Sequence, residues 1–102
     1  MSVVNLIDAV RTDASGLLIT HVHWGILAEK GDDWFREPST TGVTEIVDRI
    51  LAGDPVYALP DRKNLEQPGP PVRVVAGDAE SIEAYDASTG KPLPTLMKLP
   101  SC

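Results

Sequence analysis

The sequence predicts an α+β domain in which an antiparallel β-sheet of about four or five strands, in the order ββαβββ, packs on a single α-helix. Three observations predict it. Residues 19–24, Ile-Thr-His-Val-His-Trp, alternate with the two-residue period of a strand. Val43, Ile46, Val47, Ile50 and Leu51 recur at i, i+3, i+4, i+7 and i+8, the spacing of one buried helix face. Gly, Pro, Asp and Ser gather between the apolar runs, as turns require.

Taken in order, residues 3–10 form a largely apolar first strand, and residues 11–16 supply the Asp, Ser and Gly of a turn. Residues 17–27 return as the second arm of a hairpin. In that arm Leu18, Thr20, Val22, Trp24 and Ile26 share one face, and Ile19, His21 and His23 share the other. Residues 28–39 carry six charged side chains around Gly31 and read as a solvated loop interrupted by Trp34 and Phe35. The helix follows, with Thr41 or Gly42 to cap its start, Glu45 in the first turn and Arg49 four residues on. Gly53 ends it in the left-handed conformation, and Asp54-Pro55 prevents continuation.

Beyond the helix, residues 56–59 read as a short strand and the proline-rich residues 60–71 as a long surface loop within the single domain 1–102. Residues 72–76 and 81–87 read as strands joined by a turn at 77–80, with Ile82 and Ala84 facing one way. Residues 88–92 turn the chain again, and 93–99 form an apolar tail over the core, too rich in proline for a regular helix. One helix covers one sheet face, so the other is expected to be partly open and available to a second copy.

Composition narrows the function classes. At 102 residues the chain is long enough for one core. With 42% hydrophobic and 24% charged residues it falls in the globular range. The nine Lys and Arg are scattered against fifteen Asp and Glu, a net charge of -6, so a surface that tracks nucleic-acid phosphates is not expected. The single cysteine, Cys102, permits no intrachain disulfide and fits a reducing compartment. No apolar stretch approaches the ~18 residues of a membrane span and no basic leader precedes an apolar run. A cytoplasmic protein without a membrane partner is the expectation.

Chemistry, if present, starts at His21 and His23. Two apart on a strand, they project in parallel and can bring two imidazole nitrogens to one metal ion. A zinc site normally needs a third protein ligand, for which Glu29, Asp78 and Cys102 are the candidates, and two solvated strand histidines are the alternative. No nucleophile elbow and no glycine-rich phosphate loop occurs, and Cys102 is expected at a frayed terminus. Thr41, with Ser39 and Thr40, stands at the helix start, where capping and anion binding compete for the same hydroxyls. Trp34 is expected to anchor a partner or stack on a ligand ring, with a lid over the end of the core by Trp34 or Phe35 as the alternative.

Ala9-Val10-Arg11-Thr12-Asp13, a turn, Ile19-Thr20-His21-Val22, then Trp34, Ser39-Thr40, Ile50-Leu51-Ala52-Gly53, Val56-Tyr57 and Leu99-Pro100 also resemble a known family. It is a small bacterial and phage family catalogued as domain of unknown function number 3892. The resemblance spans most of the chain, although Thr95 stands where the family's Asn-Leu-x-x-Leu-Pro pattern has Asn before Leu96. It implies a compact single domain, often encoded alone, and carries over no activity, cofactor or catalytic residue.

The leading expectation is therefore a non-enzymatic binding or interaction module. It would need no cofactor, take an unidentified protein or small-molecule partner, and present a surface comprising His21, His23, Trp34, Thr41 and the 60–71 loop. The alternatives are a metal-binding protein or metal-assisted hydrolase using His21 and His23, and a small-molecule or nucleotide sensor.

Overall fold

The computed structural model describes residues 3–16, 18–28, 34–61, 68–75 and 81–102. Its first strand, β1 (Val3–Thr12), pairs antiparallel with β2 (Ile19–Ala28). The turn between them is held by Asp13, whose carboxylate accepts from the Ser15 hydroxyl at 2.5 Å, and by Gly16 at φ 74°. Then β3 (Trp34–Gly42) runs antiparallel to β2 and leads directly into the helix α1 (Val43–Leu51).

A short strand, β4 (Val56–Ala58), lies parallel to β1, which gives a four-stranded sheet in the order β3-β2-β1-β4. The strands β5 (Val72–Val75), β6 (Ser81–Tyr85) and β7 (Pro92–Leu93) form a second, antiparallel sheet. A bridge between Tyr57 and Pro71 ties β4 to the entry of β5, so the two sheets form a nearly continuous wall bent around α1. The helix packs on β2 and β3 from one side and on β5 and β6 from the other.

This architecture keeps the α+β class but corrects the expected order. Among the described residues there is one α-helix, three strands precede it, not two, and seven strands in two sheets replace four or five in one. The added strand comes from residues read as loop. Despite its charges, the stretch from Trp34 on pairs with β2, because the ladder opposite His21, Val22, His23 and Trp24 needs partners and Gly42, Thr41, Thr40 and Ser39 provide them. The β1–β4 pair is parallel because β2, β3 and α1 form the crossover between the two strands.

One core lies inside the wall. Ile7, Val10, Val22, Trp24 and Ile26 of the first sheet meet Ile46 and Val47 of α1, Val72, Ile82 and Ala84 of the second sheet, and Leu96 from a 3-10 turn (Leu96–Lys98). Trp24 is fully buried; its Nε1–H donates to the Thr41 hydroxyl at 2.9 Å, and the Arg36 and Arg49 guanidinium groups lie 4.8 and 5.7 Å from its ring centroid. Ile82 and Ala84 do share the buried face, and the tail does cover the core through Leu96.

Two side chains depart from the periodic pattern for local reasons. Ile19 sits in the core with Val22 and Trp24, not with the histidines, because Thr12 pairs with Ile19 and Arg11 with His21, so that Thr20 is an extra residue that reverses the alternation. Leu51 is 68% exposed. On a 3.6-residue helix it lies about 90° from the centre of the stripe formed by Val43, Ile46, Val47 and Ile50, at the edge of the buried face.

The helix ends as expected, with Gly53 at φ 92° and its N–H on the Ile50 carbonyl at 3.0 Å. Its start is different: Gly42 holds the N-cap position without a side-chain cap bond, and the Thr41 hydroxyl is spent on Trp24 and on the Gly42 carbonyl. Arg49 pairs at 3.7 Å with Asp54.

The free edge of β1 is shared by two segments. Its first half pairs with β4, and its second half is bridged in parallel by Ser101, with Val10 N–H donating to the Pro100 carbonyl at 3.0 Å and Cys102 N–H to the Val10 carbonyl at 3.2 Å. Cys102 is therefore docked on the sheet, against the expectation of a frayed terminus. Asp8 bulges out of β1 opposite Trp24 and His23, near the point where one edge partner gives way to the next.

Candidate functional site

The outer face of the four-stranded sheet, turned away from α1, has two halves. At one end Leu6, Leu27 and Leu59 form a second, smaller apolar cluster on which Val4, Trp34 and Tyr57 pack. Gly25 makes that cover possible: a Cβ there would stand 2.9 Å from the Arg36 carbonyl oxygen, from the Pro38 nitrogen and from the Trp34 ring. Trp34 packs on this outer cluster from the first position of β3, and not on the core around Trp24.

The other half is polar and contains both histidines. Register places Ala9, His23 and Thr40 in one row across β1, β2 and β3, and Arg11, His21 and Gly42 in the next. His23 Nδ1 lies 2.6 Å from an Asp8 carboxylate oxygen, with the histidine side chain 28% exposed and the aspartate 7%. His21 Nδ1 lies 3.0 Å from the Thr20 hydroxyl. Each imidazole is therefore held through Nδ1, and Nε2 remains the nitrogen available to a ligand. In the neutral ring with Nδ1–H donating to Asp8, His23 Nε2 carries the lone pair. A buried carboxylate behind a histidine in this way sets its tautomer and orientation.

Arg11 stands in the row beside His21, with Nε–H donating to the main-chain oxygen of Cys102 at 2.9 Å. Among the described residues no group of three or more His, Cys, Asp or Glu is gathered for a metal ion. Of the third-ligand candidates, Glu29 and Asp78 lie outside the described residues.

The expected surface of His21, His23, Trp34 and Thr41 is not a single patch. His21 and His23 stand together, Trp34 lies on the same face at its apolar end, and Thr41 faces the helix with Trp24. Residues 62–67 of the proline-rich loop are outside the described residues, while its end is tied down by Gly69 N–H to the Ala58 carbonyl at 2.7 Å.

Sequence reasoning missed Asp8, Arg11 and Thr40 as neighbours of the histidines. Asp8 did leave a signal: it is an acid within the apolar run of β1, and burial of a carboxylate requires a partner. A cleft of ≈ 300 Å³ lined by Ile50, Asp54, Tyr57, Arg73 and Tyr85 among others contains none of the histidine patch. The donors of Arg73 there are used within the fold, by Glu83 at 2.7 Å and by the Gly90 carbonyl at 2.9 Å, and its guanidinium stacks 4.7 Å from the Tyr85 centroid.

No protein-family model, no curated protein and no solved structure matches this chain. No helix among the described residues is long and apolar enough to cross a membrane.

Proposed function

We propose that this protein is a small non-enzymatic binding module whose working surface is the polar half of the outer sheet face, centred on His23 with His21, Arg11 and Thr40 around it. The observation that carries this reading is the 2.6 Å contact of His23 Nδ1 with the nearly buried Asp8. Ordering a partly exposed imidazole and burying a carboxylate both cost free energy, and the arrangement leaves Nε2 as the nitrogen not engaged by Asp8. A binding role is favoured over hydrolysis because no nucleophilic hydroxyl or thiol is hydrogen-bonded to either Nε2 among the contacts described.

Kinship with the small bacterial and phage family named above, and a cytoplasmic setting, belong to the same proposal. They rest on the quoted motifs and on cysteine usage respectively.

The test is a ligand-library screen read by NMR on protein with labelled histidine side chains. Compounds that bind should move the His21 and His23 imidazole resonances, and His23→Gln should abolish the response. Binders whose effects cluster elsewhere, with both imidazoles unmoved, would overturn the assignment of the surface.

A further inference from the structure

Resting on that reading, we propose that His21 and His23 are half of a metal site that a second copy of this chain completes, two imidazoles from each copy holding one zinc-like divalent ion. Three features of the structure lead to it.

The first is ligand geometry. His21 and His23 are two residues apart on one face of β2, with Cα atoms separated by about 6.6 Å at the rise of a strand. Both have Nδ1 occupied, by Thr20 and Asp8, so both offer the same nitrogen, Nε2, from side chains already oriented. A metal ligand held from behind by a carboxylate is the arrangement that raises affinity and sets the tautomer, and imidazole suits zinc, copper and nickel.

The second is incompleteness. A structural zinc ion takes four protein ligands, and among the described residues no third His, Cys, Asp or Glu is gathered with the pair. A two-fold axis through the metal brings the same pair from a second copy and closes a tetrahedron without any further residue. Such an isologous contact is the commonest way identical chains associate.

The third is room for the approach. On the β3 side of the histidines the rows end in exposed Thr40 beside His23 and exposed Gly42 beside His21, with no atom within 4 Å of where a Gly42 Cβ would stand. The one cation in these rows, Arg11, is drawn toward Cys102 by its Nε–H bond. An acidic chain of net charge -6 repels its own copy, and a divalent cation between the two imidazole pairs offsets part of that repulsion.

The experiment titrates zinc into untagged, metal-free full-length protein, with mass followed by light scattering and bound zinc by elemental analysis. The expected result is a doubling of mass saturating at about one zinc per two chains, the ratio that four-ligand coordination demands. His21→Gln and His23→Gln should each abolish both effects, and Asp8→Asn should weaken zinc binding about 10- to 100-fold. Should the histidine variants fail to fold, Gly42→Lys keeps the test intact, because it leaves every ligand in place, enters open space and obstructs the second copy. It should suppress the zinc-dependent doubling.

Zinc bound at one per chain with no change in mass overturns the proposal, as does absence of zinc binding at micromolar concentrations. Either result leaves the broader binding reading to its own test, in which small molecules move the same imidazoles without metal.

Discussion

Replacing Gly25 with alanine probes how the outer face is closed. The added methyl would stand 2.9 Å from two backbone atoms of β3, the Arg36 carbonyl oxygen and the Pro38 nitrogen, and 2.9 Å from the Trp34 ring. Ordinary carbon contacts lie near 3.5 Å or beyond, so about 0.6 Å must be found against atoms on more than one side. Two of the three belong to main chain, which cannot rotate away as a side-chain tip does. Overpacking of this kind costs about 1–3 kcal/mol.

For a domain of this size about 2 kcal/mol corresponds to a melting temperature lower by roughly 10 °C. The Trp34 ring should also lift from Leu6, Leu27 and Leu59 and change its fluorescence. Thermal and urea unfolding of Gly25→Ala beside Gly42→Ala, where the new Cβ meets nothing within 4 Å, give the comparison. A Gly25→Ala variant within about 0.5 kcal/mol of the parent would refute the packing of β3 and Trp34 on that glycine.

Other outcomes follow from the core and the turns. Ile46→Ala removes a fully buried side chain from between the two sheets and should cost about 3 kcal/mol in urea unfolding; a loss below about 1 kcal/mol would deny α1 its central place. Leu51→Gln, in contrast, should change stability by less than about 0.5 kcal/mol, since Leu51 is largely exposed, and a core-sized loss would contradict its position. Asp13 and Asp86 are each held below the ordinary carboxylate value of 3.8, chiefly by the hydroxyls of Ser15 and Ser88 and further by backbone N–H groups of their turns. Their contribution is therefore present above about pH 4 and is lost as pH falls through the lowered folded-state values. The double variant Asp13→Asn, Asp86→Asn should lose stability at neutral pH and show a shallower acid slope in melting temperature, and an unchanged slope would refute this account.

The legible parts of the molecule were those whose physics is local. A helix stripe needs only the 3.6-residue period, so Ile46 and Val47 were readable as buried, and Gly53 as the stop, from sequence neighbours alone. Alternation in β2 likewise put His21 and His23 on one face. It failed at Ile19, where a bulge at Thr20 reverses the phase, because a bulge is a property of two strands in register and not of one.

Polar strands and long-range partners were not legible for the same reason. The Trp34–Gly42 stretch carries charge and proline and has little strand period of its own, yet backbone groups of β2 recruit it. Asp8 behind His23 is fifteen residues away in sequence, and only the β1–β2 register with its bulge brings the two within 2.6 Å.

The sequence by itself determined the α+β class, the helix and its end, and the common face of the two histidines, all set by periods and dihedral preferences within a few residues. Tertiary structure alone decided that two sheets bend around the helix, that β4 runs parallel to β1, that Trp34 closes an outer cluster over Gly25, and that a buried carboxylate aims His23 outward. Those features depend on which strands meet and in what register, and that choice is made by packing over the whole chain.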